Sequence, residues 1–180
     1  MSLLPVRFNA TLIRWMSGVV LATAFGSPVA MAQTTPPTPA DAPPVLRGNT
    51  LDGKVFDLQS LRGKVVMVVF WSTDCAVCRD KMPELRANVK GWLGQPFELV
   101  SVSTDRQRSN AVTYTQLVNA TVPVSQRFTT LWSGEPQYRD SFGPTGHLPA
   151  AFLLDKTGRL VEQYHGRIPP EAWDRIADLL

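Results

Sequence analysis

From Lys64 to Phe70 the chain reads Lys-Val-Val-Met-Val-Val-Phe, an apolar run with no polar interruption after its first residue. A run so short and continuous suits a strand covered on both faces, as in a parallel or mixed central sheet. The pattern then changes period. Cys75 to about Trp92 has helical character, with Pro83 inside it as an expected kink. Glu98 to Ser103 predicts a second strand. Gln107 to Ala120 predicts a helix, with Ala111, Tyr114, Leu117 and Val118 on one face. Ala150 to Asp155 and Leu160 to His165 predict two strands joined through the Lys156-Thr157-Gly158 turn, hence a hairpin. Pro169 and Pro170 suit a helix start, with Trp173, Ile176, Leu179 and Leu180 along one side. Upstream, Asp52-Gly53 marks a turn and Lys54 to Leu58 a short edge strand. Thr121 to Leu148 is weakly patterned; a short helix is expected over Glu135 to Phe142. The main order, β-α-β-α-β-β-α, predicts one α/β domain with a central mixed β-sheet flanked by helices.

The N-terminus follows another logic. Arg7 and Arg14 precede a short apolar stretch, Trp15 to Phe25, which Gly26 and Pro28 interrupt. Ala30-Met31-Ala32 supplies small residues for cleavage after Ala32, so residues 1–32 are expected to be a signal peptide. The alternative is a membrane anchor over residues 15–25. A spanning helix wants about 20 apolar residues, and this stretch is shorter. Residues 33–44 carry five prolines and read as an extended linker, which leaves 45–180 as the folded domain. The expected location is an oxidising compartment such as a periplasm. The formal charge of +3 falls to +1 without the two N-terminal arginines, so nucleic-acid binding finds little support.

The chain has two cysteines, in Cys75-Ala76-Val77-Cys78. A structural disulfide usually joins distant segments, whereas this pair would close a very small loop. It follows a buried strand and opens a helix, a context that favours redox chemistry. A helix N-terminus presents unpaired N–H groups and partial positive charge, and both stabilise a thiolate. Cys75, at the helix start, is the expected nucleophile. Cys78, almost one turn further in, is the expected resolving thiol. Zinc normally needs four ligands, and the only histidines are His147 and His165. A c-type haem site needs His after the second cysteine, where Arg79 stands. No cofactor is expected.

Val66 to Arg79, continuing through Met82-Pro83-Glu84-Leu85, resembles the active-site segment of the TlpA/ResA-like periplasmic proteins of thioredoxin fold. The resemblance continues at Val100 to Asp105 and at Leu148 to Arg159, and covers most of residues 45–180. It implies a thioredoxin-like fold and a thiol–disulfide oxidoreductase. It implies that Pro149 is a cis-proline facing the cysteines and that the backbone of Leu148 pairs with an incoming substrate chain. It also implies that Trp71 is the aromatic residue beside the site. Such proteins reduce or exchange disulfides of exported proteins, some of them in cytochrome c maturation. They draw electrons from a membrane-embedded thiol transporter.

The departures matter. Many relatives carry a glutamate where this chain has Lys81, and cytoplasmic thioredoxins carry a buried aspartate where it has Val69. Neither usual proton acceptor for Cys78 is present. Lys81, if it leans toward the cysteines, would stabilise thiolate. Asp74 and His147 are the other candidates for tuning the pair, while Asp80 and Glu84 read as solvated helix surface. A second reading, from another class, is a copper(I)-handling protein using Cys75, Cys78 and His147. Its usual cysteine spacing is three residues, which counts against it. A third is a peroxiredoxin, but Ser72 stands where such enzymes carry Thr, and no nearby Pro precedes Cys75.

Overall fold

The uninterrupted apolar run forms the strand Val65–Trp71, buried at all 7 positions. The computed structural model describes residues 42–180. In chain order it contains β1 (Leu46–Asn49), β2 (Val55–Asp57), β3 (Val65–Trp71), α1 (Ala76–Gly91), β4 (Phe97–Ser103) and α2 (Arg108–Asn119). Then follow β5 (Thr129–Trp132), β6 (Arg139–Asp140), β7 (Ala150–Leu154), β8 (Leu160–His165) and α3 (Glu171–Leu179). The expected signal peptide, the alternative anchor and the linker through residue 41 lie outside the described residues. Among the described residues no helix is long and apolar enough to cross a membrane.

A mixed sheet of 5 strands, in the order β5-β4-β3-β7-β8, explains the burial of β3. β3 runs parallel to β4 and antiparallel to β7. Strand side chains alternate between faces. Val65, Met67, Val69 and Trp71 therefore meet Cys78, Met82 and Leu85 of α1, with Ile168, Ala172 and Ile176 from the C-terminal segment. Val66, Val68 and Phe70 meet the other face, covered by Leu46, Phe56, Leu58 and Tyr138. Each large apolar side chain buried in this way contributes on the order of 1.5–3 kcal/mol. The expected hairpin forms between β7 and β8. Its turn uses Gly158 at a φ of 77°, a left-handed conformation that glycine adopts without a Cβ clash. The helix α1 continues through Pro83, which lies on its exposed side.

Three strands, β1, β5 and β6, were not legible in the pattern. β1 pairs with β2 and β6 to form a 3-stranded antiparallel sheet, and this layer replaces helices on the second face of the main sheet. β5 extends the main sheet beside β4 in parallel. The short helix expected over Glu135 to Phe142 does not form. Arg139 and Asp140 pair instead with Arg47 and Leu46 of β1. The Glu135 carboxylate accepts from the side-chain amide of Asn49 at 2.6 Å and from its backbone N–H at 3.3 Å. These long-range bonds hold the segment against β1 and take the place of helical ones.

Candidate active site

The strand register decides where the site lies. Trp71 pairs with Ser103 at the ends of β3 and β4, and Phe70 pairs with Ala150 at the start of β7. Extending the antiparallel register puts Trp71 opposite Pro149. The chain therefore leaves β3 toward Cys75 at the same end of the sheet where Leu148 and Pro149 lead into β7. Ligand and reaction sites of open α/β sheets favour this end, beyond the carboxyl ends of the parallel strands.

Cys75 is the N-cap of α1 and is bonded to Cys78 in a disulfide. The backbone N–H of Cys78 donates to Cys75 Sγ at 3.1 Å. The first turn of α1 contains no acid that would offset the positive helix end. Cys75 is half-buried, whereas Cys78 is 1% exposed. One sulfur thus faces outward with a donor already aimed at it, and the other is shielded behind it.

The loop that carries Cys75 is fastened by a carboxylate from another strand end. Asp105, just beyond β4, is 7% exposed. Its Oδ1 accepts from the Thr73 N–H at 2.9 Å and the Thr73 hydroxyl at 2.5 Å. Its Oδ2 accepts from the Ser103 hydroxyl at 2.7 Å. The backbone carbonyl of Trp71 accepts from the Thr104 N–H at 2.8 Å. Arg79 closes the loop from the helix side by donating to the Thr73 carbonyl. Asp105 was not singled out from the sequence, although it ends one of the stretches that carry the family resemblance.

The other anticipated residues divide. The Leu148–Pro149 peptide bond is cis, and Pro149 is buried. Leu148 is half-buried and precedes the first residue of β7, so its backbone lies beyond the ladder. Trp71, expected as the aromatic residue beside the site, is the last residue of β3. It is 2% exposed, with its ring 4.9 Å from that of Tyr114, and it belongs to the core beneath the site. Its burial follows from facing α1 and α2 at the end of the central strand. Asp74 is exposed, and the Ser72 hydroxyl, above all, holds its carboxyl below the usual carboxylate range. A carboxylate so stabilised is a poor proton acceptor for Cys78.

Lys81 is 9% exposed, and its ammonium is paired within α1. It donates to Glu84 Oε2 at 2.7 Å. Glu84 is accordingly not a free surface acid: its Oε1 accepts from the Trp173 indole N–H of α3 at 3.2 Å. The Lys81 bond is the main reason the Glu84 carboxyl lies below the usual range, with the indole adding to it. Asp80 is exposed, as expected of helix surface. His147 lies on an exposed loop position. Among the described residues no three His, Cys, Asp or Glu side chains are grouped closely enough to hold a metal ion. His147 is therefore not brought to Cys75 and Cys78 as a third copper ligand.

Comparison with known proteins agrees with this architecture. The AhpC/TSA family matches residues 39–163. Thiol-disulfide oxidoreductase ResA from Bacillus thuringiensis (strain Al Hakam) is 28% identical over 116 residues, which is 64% of this chain and 63% of that protein. The chain thus spans less than two thirds of that relative's length. A thiol:disulfide interchange protein of the thioredoxin family from Chlorobium tepidum TLS superposes with a TM-score of 0.59 at 22% identity, covering 80% of this chain and 97% of its own. A DsbF homologue from Corynebacterium diphtheriae superposes with a TM-score of 0.60 at 20% identity, covering 87% and 98%. The structural likenesses establish a thioredoxin-like fold, and with the sequence match they show that this chain, with its Cys75–Cys78 pair, belongs to the AhpC/TSA family.

Proposed function

We propose that the chain is an exported thiol–disulfide oxidoreductase that reduces or exchanges disulfides of envelope proteins through Cys75 and Cys78. One observation carries the reading: a half-buried Cys75 caps α1 and accepts the Cys78 N–H, while Cys78 lies buried behind it. The donor at 3.1 Å and the helix end both favour charge on the Cys75 sulfur.

In the reducing direction the Cys75 thiolate attacks one sulfur of a substrate disulfide. A bond forms between them, the substrate S–S bond breaks, and the second substrate sulfur leaves as a thiolate. Cys78, having lost its proton, then attacks Cys75 Sγ. The internal disulfide forms and the first substrate sulfur leaves as a thiolate. Two electrons pass from the pair to the substrate, and the departing thiolates take up protons from water. The backbone before β7, at Leu148, is where an extended substrate segment would add as a strand. A role in cytochrome c maturation, electron supply from a membrane thiol transporter, and export through the cleaved segment 1–32 belong to the same proposal. They rest on the family resemblance and the N-terminal pattern.

The test is to replace Cys78 by Ser and look for envelope proteins trapped on Cys75 as mixed disulfides. Trapped, reductant-sensitive adducts that disappear in Cys75→Ser are expected. Absence of any adduct, together with a wild type that performs no dithiol exchange, contradicts the reading.

A further inference from the structure

Lys81 is the one lysine buried among the described residues, and the disulfide chemistry above does not use it. It follows Cys78 by three positions, so the two side chains share a face of α1, and both are buried there. Burying an ammonium is costly unless a partner compensates it. Glu84 is that partner, and Trp173 fastens it to α3. An ordinary solvated Lys–Glu pair needs neither burial nor an anchor from a second helix. The cleft that opens on the pair is also lined by Val77, Asp80 and Arg167. The charged groups facing Lys81 are therefore Asp80 and Glu84 on α1 and Arg167 on the segment between β8 and α3.

We propose that Lys81 is a positioning residue for the redox step, whose ammonium stabilises the Cys78 thiolate, while Glu84, held by Trp173, limits that stabilisation. The inference rests on the dithiol reading given above and deepens it. Reduction adds two electrons to the Cys75–Cys78 bond and leaves two sulfurs that can carry charge. An ammonium carried by the residue one helical turn beyond Cys78, on the same buried face of α1, lowers the free energy of the charged sulfur, and so of the reduced form. The disulfide is correspondingly the stronger oxidant. Glu84 opposes this because it draws the ammonium along the helix, away from Cys78.

The test compares the equilibrium of Cys75/Cys78 with glutathione in wild type, Lys81→Met, Lys81→Arg and Glu84→Gln. Lys81→Met is expected to shift the equilibrium toward the disulfide by about tenfold, equivalent to a potential about 30 mV more negative. Glu84→Gln is expected to shift it the other way, and Lys81→Arg to restore the wild-type value. In a Cys75→Ser background, Lys81→Met is also expected to raise the pH at which the Cys78 thiolate absorbance develops. Opposite shifts for Lys81→Met and Glu84→Gln support the inference. Shifts of one sign, or no shift in either, overturn it. A wild type with no dithiol–disulfide equilibrium overturns the functional reading instead, which separates the two failures.

Discussion

Thr73 and Asp105, 32 positions apart, are joined twice: one carboxylate oxygen accepts both the backbone N–H and the hydroxyl of Thr73. The bond pair ties the loop that delivers Cys75 to the end of β4. Asp105→Ala would leave these donors and the Ser103 hydroxyl without their acceptor. A loss of about 3 kcal/mol in unfolding free energy is expected, with Asp105→Asn losing less because it keeps one acceptor oxygen. The alkylation rate of Cys75 in the reduced protein should also change, because the N-cap is no longer held. Denaturant unfolding and timed alkylation check both points. Wild-type behaviour in Asp105→Ala would remove Asp105 from the positioning of the site.

The buried ring of Trp71 leads to a different expectation. Trp71→Phe loses part of the contact with Tyr114 and should lower stability by about 1–2 kcal/mol. Since the side chain is 2% exposed, the KM for a protein disulfide should stay unchanged. A raised KM at unaltered stability would mean that the ring meets substrate after all.

The Glu84 carboxyl carries a dependence on pH with a definite sign. Its folded pKa is depressed, chiefly by the Lys81 bond. A depressed carboxyl stabilises the fold above its unfolded pKa of about 4.3 and loses that contribution as the pH falls through the lower folded value. The side chain is 42% exposed, so the contribution is screened and amounts to less than about 1 kcal/mol. The stability gap between wild type and Glu84→Gln should therefore be larger at pH 7 than at about pH 3. Equal urea midpoint differences at the two pH values would show that the pair contributes nothing to the fold's acid sensitivity.

The parts of the fold that could be read in advance are those whose cause is local. The valines around Met67 announce a strand covered on both faces, and the Cys75-Ala76-Val77-Cys78 spacing announces thiol chemistry at a helix start. β1 was hidden because its residues, Leu-Arg-Gly-Asn, have no strand propensity to speak of; one partner strand, β2, follows after a short turn, but the other lies far along the chain, with Asp140 opposite Leu46. β5 has the residues Thr-Thr-Leu-Trp, too short for its alternation to stand out, and is held in register by Val100 to Ser103. The site shows the same division. The i,i+3 spacing of Lys81 and Glu84 was open to inspection, but the Trp173 indole that fixes Glu84 comes from 89 residues away. Asp105 could not be tied to Thr73 before β3 and β4 were known to lie side by side.

The central claim is that Cys75 and Cys78 act together as a two-electron donor to a disulfide. Single-turnover mixing of the fully reduced protein with a protein disulfide, followed by quenching and thiol counting, tests it most directly. The expected result is one substrate disulfide opened per chain, with both cysteines becoming inaccessible to alkylation together. Cys75→Ser should open none, and Cys78→Ser should stop at the mixed disulfide. Undiminished turnover in Cys75→Ser, or no turnover by the wild type, would contradict the account.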